Sequence, residues 1–63
     1  MNCGRSRVTA LNQARANARF FGRPYYVFTD TSGNLHVERD RPGSVPCVEV
    51  RPDGTSITIE EDA

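Results

Sequence analysis

The chain has no lysine and no tryptophan, and only one methionine, one histidine and two cysteines among its 63 residues. Cys3 and Cys47 form no CxxC pair, and His36 has no second histidine near it. A four-ligand zinc site at ordinary spacing is therefore not expected, and no metal or other cofactor is. A Cys3–Cys47 disulfide would need an oxidising compartment. Residues 1–7 carry no apolar stretch of secretory type, so both thiols are expected to be reduced and the protein cytoplasmic. No apolar run approaches the ~20 residues of a membrane span, so a membrane partner is not expected either. Also missing are GxSxG, the phosphate-binding Gly-rich loops, HExxH and the EF-hand loop. Cys47 and His36 could share a sheet face, but a nucleophile needs an orienting third group and an enclosed pocket. No catalytic residues, no enzymatic activity and no small-molecule substrate are expected.

A chain of this length holds one domain, spanning residues 1–63, with residues 1–6 and 61–63 expected to fray. Domains this small bury only about 60% of the surface of the unfolded chain, so a single core is marginal. With metal and disulfide set aside, self-association is the remaining source of stability. Charge is formally balanced but unevenly placed. Residues 1–23 carry Arg5, Arg7, Arg15, Arg19 and Arg23 with no acid. Residues 24–63 carry all eight acids against Arg39, Arg41 and Arg51, so the halves are +5 and −5. Such asymmetry marks either a binding surface or a helix and an acidic tail (Glu60, Glu61, Asp62) that neutralise each other.

The spacing of Val8, Leu11, Ala14, Ala18 and Phe21 predicts an amphipathic helix over residues 7–21. Ser6 is placed to cap its start, Gly22 to end it and Pro24 to prevent its continuation. Alternation then takes over. Strands are predicted at 25–30, 35–39, 47–51 and 56–60, the first two joined by a turn with Gly33 in the left-handed region. In the second hairpin, pairing Val50 with Ile57 and Val48 with Ile59 puts all four on one face, and the hydrophobic pattern selects that register. Residues 40–46 read as a loop. The expected fold is α+β: one N-terminal helix on a four-stranded antiparallel sheet, α-β-β-β-β, laid out as a meander of two hairpins.

One sheet face then carries Tyr25, Val27, Leu35, Val37, Val48, Val50, Ile57 and Ile59 against the helix, with Leu11, Val27, Val37 and Val50 buried together. The other carries Tyr26, Phe28, His36, Glu38, Cys47, Glu49, Arg51, Ser56, Thr58 and Glu60, and is mostly polar. Tyr26, Phe28 and His36 stand out there as a candidate interaction surface. They brace the hairpin, or meet another protein (a second copy being simplest), or stack nucleic-acid bases. Asn12, Arg15, Arg19 and, if the turn continues, Arg23 fall along one helix flank as a candidate contact for phosphates or an acidic partner. Residues 22–37 (GRPYYVFTDTSGNLHV) resemble strand-turn-strand segments of short bacterial and prophage-encoded proteins, a likeness that implies no activity. The function expected is a non-catalytic interaction protein, a homodimer or partner-binding module. The alternative is a nucleic-acid binder using the arginine row and the sheet aromatics, against which stands the zero net charge.

Overall fold

A computed structural model describes residues 6–43 and 45–60. The expected fraying of residues 1–5 and 61–63, and the state of Cys3, lie outside the described residues. The chain forms α1 (Arg7–Phe21), β1 (Tyr25–Thr29), β2 (Leu35–Glu38), β3 (Cys47–Val50) and β4 (Ser56–Ile59). One helix thus packs on one antiparallel four-stranded sheet, the α+β fold that the change in periodicity predicts. Ser6 caps the helix as its sequence predicts: its hydroxyl accepts from the Thr9 amide at 3.1 Å. This satisfies one of the first-turn amides that has no partner inside the helix. At the other end Gly22 takes φ 68°, and its amide donates to Ala18 O at 2.8 Å.

The helix is turned relative to the expected stripe. Ala10, Ala14 and Ala18 are its fully buried residues, with Leu11 half-buried beside them. At about 100° per residue, Val8 stands about 160° from Ala10, and it is 67% exposed. Phe21 is at the helix end and packs on the Tyr25 and Phe20 rings, at 6.0 and 4.8 Å between centroids, without going under the sheet. The alanine face lets the backbone approach closely, and the branched side chains of the sheet fill the space. Val27 and Val50 are buried with Ala10 and Ala14, while Leu11, Tyr25, Leu35, Val37 and Val48 pack around them half-buried. Of the four residues expected to be buried together, Leu11 and Val37 are thus only partly so. Val50 is the largest side chain that is fully enclosed.

The strand order is β2-β1-β3-β4, not the meander. β1 sits between β2 and β3, antiparallel to both, so β2 and β3 run parallel and the 39–46 connection is a crossover past β1 in place of a hairpin. The centre goes to the most apolar strand, YYVFT, which has both edges paired, while β2, with His36 and Glu38, goes to an edge.

The register of the second hairpin also differs, by one residue. Cys47 pairs with Ile59, Val48 with Thr58, Glu49 with Ile57 and Val50 with Ser56. The turn chemistry decides it. Both hairpins close the same way: Asp30 N–H to Asn34 O and Gly33 N–H to Asp30 O in one, Arg51 N–H to Thr55 O and Gly54 N–H to Arg51 O in the other. Gly33 and Gly54 adopt φ 89° and 94°. This is a type I turn with a glycine bulge, which leaves three residues in each loop. An aspartate holds each loop: Asp30 Oδ1 accepts from the Ser32 and Asn34 amides, Asp53 Oδ1 from Thr55 N–H and Oγ1. A one-residue slip flips a whole strand, so Ile57 and Ile59 face away from the helix and Ser56 and Thr58 face its side. The helix packs on β1, β2 and β3 and does not touch β4, which is consistent with hydroxyls on that side. No described helix is long and apolar enough to cross a membrane.

Candidate functional site

The face away from the helix consists of two rows across the sheet. One runs His36, Phe28, Cys47, Ile59 and the other Glu38, Tyr26, Glu49, Ile57, each in the order β2, β1, β3, β4. Cross-strand neighbours on one face lie about 4.5–5.5 Å apart, so each row is continuous. The structure brings the expected aromatic residues together: the Phe28 and His36 rings stack at 5.3 Å with 19° between planes, and Tyr26 lies in the adjoining row. It adds two isoleucines that the hydrophobic pattern alone assigns to the core. Ile57 is 41% exposed and Ile59 half-buried. The signal that places them correctly is the repeated spacing D-x-x-G-N and R-x-x-G-T, which predicts the same turn twice.

His36 is fixed from behind. Its Nε2 lies 2.8 Å from Asp30 Oδ2, while the other carboxylate oxygen of Asp30 holds the turn amides. That hydrogen bond to His36, followed by the amide of Asn34, keeps the Asp30 carboxyl below its ordinary value of 3.8. Asp53 is lowered in the same way, first by the Thr55 hydroxyl and then by its amide. Glu49, in the second row, pairs with Arg51 on the same strand at 3.3 Å. Cys47 is a free thiol, 3% exposed, between Phe28 and Ile59. His36 and Cys47 share the face but stand two strands apart, about 10 Å, with Phe28 between them, too far for proton transfer. Among the described residues no cluster of three or more His, Cys, Asp or Glu could hold a metal ion.

The arginine row is shorter than expected. Arg15 is hydrogen-bonded to Asn12 Oδ1 at 3.1 Å and Arg19 is exposed in the last helical turn. Arg23 leaves the row: it donates to Arg39 O at 3.3 Å and lies 3.7 Å from Asp40, tying the helix end to the end of β2. Among the described residues no ion pair joins the helix arginines to Glu60, and Glu61 and Asp62 lie outside them. A cleft of about 250 Å³, lined by Arg7, Phe28, Leu35, Val45, Cys47 and Thr58 among others, opens near the end of β1 and the start of β3. Comparison with family models, with curated proteins and with solved structures finds no match, so the geometry of these two surfaces is the basis for any functional reading.

Proposed function

We propose that the protein is a non-catalytic interaction module whose contact surface is the open sheet face. The observation that carries this reading is the placement of Ile57 and Ile59 on the face away from the helix, across Glu49 and Cys47 from Tyr26 and Phe28, with Ile57 41% exposed. A monomer gains nothing by turning branched apolar side chains to water, and contiguous apolar patches on small domains mark contact sites. Aromatic residues are enriched at the centres of such contacts. A cytoplasmic setting, in which Cys47 would stay a free thiol, belongs to this reading. Nucleic acid is the second reading, supported by the Arg15–Arg19 pair on the helix flank, Arg15 half-buried and Arg19 exposed. Glu38 and Glu49, on either side of Tyr26, count against base stacking on the open face.

Light scattering and an oligonucleotide titration separate the two. Phe28→Asp and Ile57→Asp are expected to abolish association while the circular dichroism of the fold persists, and Arg15→Ala to leave it intact. Association indifferent to both aspartates overturns the reading. So does tight binding of single strands that weakens steeply with salt and with Arg15→Ala.

A further inference from the structure

We propose that the cleft between the end of β1 and the start of β3 binds a small organic carboxylate with an apolar body, held by Arg7. The ladder explains the opening. β1 and β3 pair only as far as Val27 and Val48, although β1 runs on to Thr29. The same register would set Thr29 opposite Pro46, which has no N–H to donate. The amide and carbonyl of Asp30 are engaged in the turn, with Asn34 and Gly33, on the β2 side. Backbone groups alternate in direction along a strand, so the Thr29 amide points the other way, toward β3. The strands part at this end, and a cleft of about 250 Å³ opens there.

The lining selects the ligand. Val27, Leu35, Val45 and Val48 supply apolar walls, with Arg7, at the start of the helix, and the hydroxyl-bearing Thr58 beside them. Arg7 is exposed and in no ion pair among the described residues, and no described carboxylate lines the cleft. One uncompensated guanidinium against apolar walls suits a single negative charge on an apolar molecule. A carboxylate matches the guanidinium fork with two parallel hydrogen bonds. A phosphate ester with two charges would find no second cation among the described lining residues. Size follows from volume: a cavity of about 150 Å³ takes up benzene, so about 250 Å³ admits a molecule of roughly ten non-hydrogen atoms. The chain's own ends match the cleft less well. Residues 1–5 bring Arg5 and no acid, and Glu61 and Asp62 bring charge without an apolar body.

The test is a titration of the full chain, labelled with nitrogen-15, with benzoate at neutral pH and fixed ionic strength, followed through the amide shifts. Acetate supplies the charge without the body, and benzyl alcohol the body without the charge. Expected are saturable shifts at Thr29, Val48 and Thr58 with a dissociation constant on the order of 1 mM for benzoate. Loss of the charged hydrogen bonds should cost about tenfold, so benzyl alcohol should bind about tenfold more weakly. Arg7→Gln, at an exposed position, should weaken benzoate by the same factor and leave benzyl alcohol unchanged. Shifts that do not saturate, equal shifts from acetate, or unchanged benzoate affinity in Arg7→Gln overturn the proposal. So do shifts centred on Phe20, Phe21 or Ile57. NOEs in the free chain from residues 1–5 or 61–63 to the Val48 methyls would show the cleft already filled, and overturn it too.

Discussion

Gly54→Ala perturbs the turn that sends Ile57 and Ile59 to the open face. Gly54 has φ 94°, and a Cβ built there meets nothing within 4 Å. The cost is therefore conformational alone: holding an L-residue at positive φ costs roughly 1–2 kcal/mol. In a domain of this length each kcal/mol lowers Tm by about 4–8 °C. Three controls isolate the cause. Gly43→Ala, where space is equally open and φ is not positive, is expected to be near neutral. Gly33→Ala, at φ 89° in the matching turn, should cost about as much as Gly54→Ala. D-alanine at 54, accessible by chemical synthesis, should restore or slightly exceed parent stability, because it suits positive φ and restricts the unfolded chain. The assay is thermal and urea unfolding at one fixed protein concentration, with amide shifts of residues 47–59 read by NMR to follow the register. A Gly54→Ala variant as stable as the parent would refute the bulged turn. A variant in which Ile57 and Ile59 move beneath the helix would show that the hydrophobic pattern can override the turn, and that glycine alone holds the register.

Val50→Ala removes two methyl groups from the one large fully enclosed side chain and should cost about 2 kcal/mol by urea denaturation. Ala14→Leu should cost about 1–3 kcal/mol by wedging helix from sheet, whereas Ala16→Leu on the exposed side should be near neutral; equal melts would show that the alanine face is not the buried one. Asp30 is held below 3.8, so its contribution to stability is present above that value and is lost as pH falls through the lowered folded one. Acid titration of the parent against Asp30→Asn, followed at the Ser32 and Asn34 amides, should show that step in the parent alone.

Much of the fold was legible where a local rule and the hydrophobic pattern agreed. Ser6, Gly22 and Pro24 bracket the helix by capping chemistry, and the Asp30–Asn34 turn sets the first hairpin, Val27 opposite Val37 and Phe28 opposite His36. The second hairpin went astray because two rules conflict there. Burying Ile57 and Ile59 asks for a four-residue loop, while Pro52-Asp53-Gly54 forms a three-residue one whose amides Asp53 already satisfies. The local hydrogen bonds prevail because β4 has no helix above it to reward the other register. The strand order was not legible, since nothing in residues 39–46 states which edge of β1 the chain will reach. The helix stripe was misjudged through Val8, since a rule that counts large apolar residues passes over alanines as contact surface. In the candidate site, Tyr26, Phe28 and His36 were found by alternation. Ile57 and Ile59 were missed for the reason just given, and the condition for Arg23 to join the helix flank is not met, because Gly22 turns the chain away.

The isolation of β4 has a further consequence. One neighbouring strand holds it, and the helix does not, so it should be the segment that departs first when the native state breathes. Cys47 lies directly beneath that event: its sulfur is shielded between Phe28 and Ile59, and departure of β4 removes one wall. In a Cys3→Ser background, the rate at which a thiol reagent modifies Cys47 would count these departures one by one. The chain therefore contains its own clock for the fluctuation that exposes its central strands.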